Sequence, residues 1–362
     1  VNPFKPTAGK NPPELIGRAY VIDQFVEGIE NGPGAPDRLL RIDGTRGTGK
    51  TVMLNEIARA AAESGWDVVD ETANEGFCAR IVKRLTSRSR VAGASVAPQA
   101  LGVGLGSLDV ERASLSLREA IARHASAKRG GLLVTLDEVQ GECLDEMRAL
   151  AVAVQHAIRD GLDIAFVFAG LPSMVGDVVN GDMMTFLRRA TPVHLGFLDT
   201  NEVALSFVDT VRASGLGISD ELAARMAELT RGYPFLVQLV GYHVWQAAYR
   251  RGGASATVES ADVERGFAAA RGRFDGTVVE PALHRMPAAQ LAYLEAMAVD
   301  GAVSSTAEVA ARLGKTTQST SPVRAVLIRE GLIESPRRGE VAFAVPFMDE
   351  YLRTHADELA SL

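Results

Sequence analysis

The hydrophobic positions of this chain follow two rhythms. Up to about residue 199, short apolar runs alternate with stretches of helical period; beyond it the period is helical almost to the end. The short runs are Arg38–Ile42, Trp66–Asp70, Leu132–Leu136, Ile164–Phe168 and Val193–Leu195. Leu132–Leu136 is nearly continuous in apolar residues, as strands buried on both faces of a parallel sheet are. Between these runs the spacing predicts helices over 19–29, 52–64, 75–85 (Phe77, Ile81 and Leu85 on one face), 115–127 and 143–159, and one carrying Phe186-Leu187-Arg188-Arg189. Strand and helix in alternation predict an α/β fold, a doubly wound parallel sheet with its ligand at the carboxyl ends of the strands. Residues 87–114 break the rhythm, being rich in Gly, Ser and Ala, and fit either a β-hairpin or a mobile insertion. Gly102-Val103-Gly104-Leu105-Gly106 within them lacks the spacing and setting of a dinucleotide fingerprint.

The second rhythm predicts helices over 201–213, 219–230, 234–250 and 261–271, a small helical domain. From about residue 280 three short helices (288–298, 304–313 and 321–330) precede a hairpin, Leu332–Ser335 and Val341–Val345, with Pro336-Arg337-Arg338-Gly339 at its tip. That is the plan of a winged helix. The expected organisation is an α/β core over 1–199, a helical lid over 200–278 and a winged helix over 279–362. A length of 362 residues with 47% hydrophobic and 23% charged residues suits two or three domains with real cores.

Chemistry enters at the end of the first apolar run. Gly44-Thr45-Arg46-Gly47-Thr48-Gly49-Lys50-Thr51 has the form G-x-x-x-x-G-K-[ST], with a strand pattern before it and a helical pattern from Val52 after it. The glycines let the backbone turn its N–H groups onto phosphate oxygens, and the following helix aims its positive end at the same anion. Lys50 supplies a cation for the β- and γ-phosphates, and the Thr51 hydroxyl a ligand for Mg²⁺. Such a loop predicts binding of a nucleoside triphosphate with Mg²⁺, which the resemblance below narrows to ATP. A second acidic element is then required. Asp137, where the third apolar run ends, can hold the metal, and Glu138 beside it can polarise the attacking water. Arg188 and Arg189 fit either a catalytic arginine directed at a γ-phosphate or a solvated helix end.

These motifs, in this order, resemble the AAA+ ATPases, in the branch shared by origin-recognition initiators and STAND-type regulators with a C-terminal winged helix. The resemblance rests on Leu15-Ile16-Gly17-Arg18, the phosphate loop, Leu133–Glu138, the two arginines and Gly232-Tyr233-Pro234-Phe235. It implies that Ile16, Gly17 and Arg18 line an adenine pocket, and that Tyr233 and Pro234 bring a lid onto the nucleotide, with Arg231 as a lid sensor. It also implies that Arg188 or Arg189 serves a neighbouring subunit's nucleotide, hence a homo-oligomer. The chain departs from the family where a polar sensor is expected, since the fourth apolar run ends Ala169-Gly170-Leu171-Pro172. Two functions stay open: an ATP hydrolase acting as a nucleotide-driven switch, and a slow or non-hydrolysing nucleotide-gated module or STAND-like regulator.

Charge narrows the partners. A net charge of −7 leaves nucleic-acid binding to a local patch. Lys315, Thr316, Thr317, Gln318, Ser319, Thr320, Ser321 and Arg324, with Arg337 and Arg338, suit DNA phosphates, but Glu308, Glu330, Glu334, Glu340, Asp349 and Glu350 dilute the field. DNA contact and protein docking therefore both remain readings of the winged helix. The two cysteines, Cys78 and Cys143, and the histidines lack metal-ligand spacing. No long apolar stretch and no signal-like start are seen, so a cytoplasmic protein without membrane contact is expected.

Overall fold

The computed structural model describes residues 1–7, 10–90, 107–127, 130–139, 143–180, 186–301 and 303–355. It divides into two compact units: residues 18–44 with 50–195, and residues 1–17 with 45–49 and 196 onward.

The first unit is built on a sheet. In chain order its elements are α1 (Ala19–Glu30), β1 (Leu39–Asp43), α2 (Lys50–Glu63), β2 (Asp67–Thr72), α3 (Phe77–Arg90), α4 (Ser107–Ala127), β3 (Leu132–Val139), α5 (Leu144–Arg159), β4 (Ile164–Gly170), α6 (Pro172–Asn180) and β5 (Thr191–His194). The strands pair in parallel in the order β2-β3-β4-β1-β5. Period-two alternation sends Ile164, Phe166 and Phe168 of β4 into one buried cluster, with Leu132, Val134 and Leu136 of β3 and the apolar faces of α3, α4, α5 and α6. Ala165, Val167 and Ala169 enter the opposite cluster, with Leu40 and Ile42 of β1 and the apolar stripes of α1 and α2. Both faces are covered, which is why these strands read as continuous apolar runs.

Two expectations need correction here. Residues 107–114 belong to α4, which runs unbroken from Ser107, where Asp109-Val110-Glu111-Arg112-Ala113 carry no Gly or Pro to stop a helix. Residues 87–90 are the last turn of α3, and residues 91–106, the remainder of the expected insertion, lie outside the described residues. Leu187, Arg188 and Arg189 form a 3-10 turn rather than a helix end. Leu187 is fully buried, and Pro192 follows in the edge strand β5, so the chain must straighten at once.

The second unit contains α7 (Thr200–Ala213), α8 (Asp220–Thr230), α9 (Pro234–Gly252), α10 (Ser260–Phe274), α11 (Glu280–Leu283) and α12 (Ala288–Ala298). They are followed by β6 (Val303–Ser305), α13 (Thr306–Arg312), α14 (Thr317–Arg329), β7 (Ile333–Glu334), β8 (Glu340–Phe343) and α15 (Met348–Thr354). Helices α12, α13 and α14 with the antiparallel sheet β6-β8-β7 have the arrangement of a winged helix. One buried cluster runs from Phe4 and Phe207 through Tyr233 and Phe274 to Leu294, Leu327 and Leu352, so helices α7–α10 and the winged helix share a core. Helix α14 starts earlier than its sequence suggests, because Thr316 and Ser319 form a reciprocal capping box.

Candidate nucleotide site

The phosphate loop leaves β1 after Asp43 and enters α2 at Lys50. Gly47 (φ +73°) and Gly49 (φ +92°) occupy backbone conformations that side-chain-bearing residues rarely adopt. The Thr48 hydroxyl donates to the Thr45 carbonyl at 2.8 Å, closing the turn. Lys50 Nζ donates to the Gly44 carbonyl at 2.8 Å, so the ammonium is folded back over the loop's own first residue. Thr51 is exposed at the start of α2, with Val52 half-buried behind it.

The sheet unit brings the expected acid to this hydroxyl. Thr51 Oγ1 donates to Asp137 Oδ2 at 2.6 Å across a sequence separation of 86 residues. Strand β4 lies between β1 and β3, and the β3–β4 pairing slips between Leu136 and Val139 before both strands end at the Val139–Gly170 pair. Within this bulge Glu138 takes φ +54°, and its N–H donates to Asp137 Oδ1 at 2.8 Å. A non-glycine residue held left-handed at the end of a strand is strained, which is the kind of position that functional sites retain. A hydroxyl and a carboxylate in contact are a fitting donor pair for Mg²⁺, which takes few protein ligands and fills the rest with water and phosphate oxygens. Among the described residues no group of three or more His, Cys, Asp or Glu is arranged to hold a metal by itself.

The arginines lie at the other end of the same sheet. Thr191 pairs with Leu40 and His194 with Asp43, so Arg188 and Arg189 precede the first rung of β5. At the rise of a strand this places them about 15 Å from the loop end of β1. The structure therefore does not bring Arg188 or Arg189 to Lys50 or Glu138 of the same chain. Arg188 Nε donates to the Val179 carbonyl at 3.0 Å. Arg189 lines a cavity of about 250 Å³ with Arg38, Leu39, Ile158, Ile164 and Phe186. One contact was not foreseen from sequence: His194 Nδ1 and Asp43 Oδ1 lie 2.5 Å apart at the last rung before the loop. Only the β1–β5 register aligns those two residues.

Solved structures with this topology are numerous. A Walker-type ATPase of Pyrococcus abyssi superposes with a TM-score of 0.66 at 16% identity, over 95% of this chain and 97% of its own. The ORC2 protein of Aeropyrum pernix, solved with ADPNP and ADP, gives 0.66 at 16% identity over 98% and 97%. ORC1 of the same organism, solved in complex with DNA, gives 0.50 at 15% identity over 97% and 95%. The fold is that of the archaeal Orc/Cdc6 AAA+ ATPases. Residues 276–352 also match a family described as a domain of unknown function, DUF8462. No curated protein matches the sequence.

Several positions singled out from the Orc/Cdc6 resemblance have settings that the sequence did not disclose. Ile16 is buried in the core of the helical unit. Gly17 (φ +63°) is a position where a Cβ would lie 2.2 Å from Glu202 Oε2. Arg18 directly precedes α1, and burial lowers its guanidinium to about 10, partly opposed by Tyr20. Tyr233 is fully buried and its hydroxyl donates to the Arg46 carbonyl of the phosphate loop at 2.6 Å; burial pushes the phenol well above its ordinary value. Pro234 opens α9, where its missing N–H costs nothing. Arg231 is held by the winged-helix segment, with Nη2 donating to Glu350 Oε1 at 2.6 Å. At the expected sensor position, a Cβ on Gly170 would lie 3.0 Å from the Val139 carbonyl, so the bulge that carries Glu138 also closes that place.

On the winged helix, Lys315, Gln318, Arg337 and Arg338 are exposed. Thr320 is buried and donates to the Thr317 carbonyl, and the Thr316 and Ser319 hydroxyls are engaged in the capping box. Among the described residues no helix is long and apolar enough to cross a membrane.

Proposed function

We propose that this chain binds ATP and hydrolyses it to ADP and phosphate, using the cleavage as a switch. The observation that carries the reading is the Thr51–Asp137 contact at the carboxyl end of the sheet, beside a glycine-rich loop ending in Lys50. The loop amides and the positive end of α2 receive the phosphates. Lys50 exchanges its bond to the Gly44 carbonyl for the β- and γ-phosphate oxygens. Thr51 and Asp137 would hold Mg²⁺, which when bound offsets the charge on the terminal phosphates. Glu138 orients a water and accepts its proton as the water oxygen bonds to the γ-phosphorus. The bond from that phosphorus to the bridging oxygen breaks, and ADP leaves with the electron pair.

Arg188 or Arg189 would act on the nucleotide of a second copy of the chain, a reading supported by their lying about 15 Å from the loop end of β1 in their own sheet. Lys315, Gln318, Arg337 and Arg338 form the surface through which DNA would be touched, chiefly at phosphates. The closed sensor position at Gly170 favours a second reading, in which hydrolysis is slow and the bound nucleotide itself is the signal.

Phosphate release with Mg²⁺, together with calorimetry of ATP binding, tests both. Glu138→Gln is expected to cut turnover by about 10²–10⁴-fold while ATP still binds. Lys50→Ala is expected to weaken binding by about 100-fold, by removing a charge-assisted contact to phosphate. Unchanged turnover in the first variant removes Glu138 from its role. Binding without turnover in the wild type establishes the second reading.

A further inference from the structure

Tyr233 and Arg231 sit on either side of Gly232, and each holds a different part of the molecule. The three residues make a rigid corner. Arg231 (φ +50°) and Gly232 (φ +69°) are both left-handed. The Gly232 carbonyl accepts from the Leu198 N–H at 2.7 Å, and the Gly232 N–H donates to the Thr230 hydroxyl at 3.2 Å. A Cβ on Gly232 would lie 2.2 Å from the Leu198 carbonyl oxygen, so no other residue fits without moving backbone.

On one side of the corner, the Tyr233 ring is fixed edge-on by Phe197 and Phe274, each with its centroid 5.6 Å away. Its hydroxyl reaches the Arg46 carbonyl, and a Cβ on Gly47 would lie only 2.1 Å from the Tyr233 oxygen. A buried phenol deprived of its acceptor is costly, so Tyr233 must follow the Arg46–Gly47 peptide or lose its bond. On the other side, the Arg231 guanidinium lies 3.8 Å over the Phe347 ring and bonds Glu350. Asp349 is a further 3.9 Å partner of Arg231.

A second link runs beside the first on α10. Arg271 lies 4.3 Å over the same Phe347 ring and donates to Glu350 Oε2 at 2.9 Å, with Asp275 bound behind it. One turn further on, Phe274 packs on Tyr233. Phe347 is itself left-handed (φ +66°) and leads directly into α15. Burial would raise the Glu350 carboxyl, but the hydrogen bond from Arg271 and the charge of Arg231 outweigh it and hold the group below the usual carboxylate range.

We propose that Arg231-Gly232-Tyr233 is a transmission element: Tyr233 reads the conformation of the phosphate loop at Arg46, and Arg231, with Arg271, passes it to Phe347 and Glu350 at the terminal helix of the winged-helix module. Arg231 on this account is an anchor for the winged helix, and Tyr233 is a positioning residue for the loop. Reciprocity follows from linkage. Whatever loosens Glu350 must change nucleotide affinity, although Glu350 touches no part of the loop. The inference rests on the phosphate loop being the nucleotide site.

The test uses the full chain, with ATP and ADP as probes, calorimetry for affinity, and hydrogen exchange of residues 347–354 as readout. In the wild type, nucleotide is expected to change exchange in that segment. Glu350→Gln is expected to weaken nucleotide binding by about fivefold, the lower end of ordinary coupling between sites. In a Tyr233→Phe background, which keeps the ring and removes the hydroxyl, the Glu350→Gln effect is expected to vanish. If the wild type binds nucleotide but Glu350→Gln leaves its affinity unchanged or tighter, or its effect persists in Tyr233→Phe, the relay is overturned and the site stands. Nucleotide binding with no change of exchange at 347–354 overturns the relay by a route that needs no variant. Failure of the wild type to bind any nucleotide overturns the site and the relay together.

Discussion

The two ends of the parallel sheet are made of the same strands but do opposite things. At the carboxyl end the chain gathers complementary groups, with Thr51 on Asp137, His194 on Asp43 and Lys50 folded onto Gly44. At the amino end it presents Arg188 and Arg189 on a short turn, at the opposite end of the strands from Asp43. A parallel sheet aligns all its carboxyl ends on one edge, so the site assembles there by topology alone. The same polarity sends the residues just before a strand to the far edge. The difference teaches that the arginines and the loop end of β1 lie on opposite edges of one sheet, which is what the proposal of a second copy rests on.

The largest expected effect comes from mixing. Arg188→Ala/Arg189→Ala is expected to lower turnover by about 10³-fold or more with ATP binding kept. Combined with Glu138→Gln, also inactive alone, it should regain phosphate release if each copy supplies what the other lacks. No recovery at any protein concentration would confine the arginines to a structural role. A smaller effect sharpens the carboxyl end. Asp137→Asn keeps a partner for the Thr51 hydroxyl but removes the charge, and is expected to cost several kcal/mol of transition-state stabilisation, about 10²-fold or more in rate. The loss should be partly reversed by raising Mg²⁺; a rate independent of Mg²⁺ in both proteins would remove Asp137 as a ligand.

The smallest effect is on stability. Gly170→Ala pushes a methyl against the Val139 carbonyl and is expected to cost about 1–2 kcal/mol in urea unfolding. Gly176→Ala, in α6 with nothing within 4 Å of the new Cβ, is expected to be neutral or to stabilise by about 0.5–1 kcal/mol. Equal responses at the two positions would show that the bulge is not closed.

Much of this was legible in the residues because it is local or periodic. The alternation of Ile164–Phe168, the glycine spacing of the phosphate loop and the acid pair after Leu136 each carry their meaning within about ten residues. The arginine turn was misread as a helix because Phe186–Arg189 has helical composition, whereas burial of Leu187 and the strand that begins at Thr191 decide its shape. The start of α14 was missed because a capping box competes with the turn-forming character of the same Thr and Ser residues.

The sequence by itself determined that an α/β sheet would carry a glycine-rich loop ending in Lys50 and an acid pair at Asp137 and Glu138, since all of these follow from short-range pattern. Only the tertiary structure decided who touches whom over long separations. Register aligned His194 with Asp43, a bulge turned Glu138 and closed Gly170, and folding set Tyr233 on the phosphate loop and Arg231 on Glu350. Those contacts depend on how elements pack, and packing is a property of the whole chain that no single stretch of it contains.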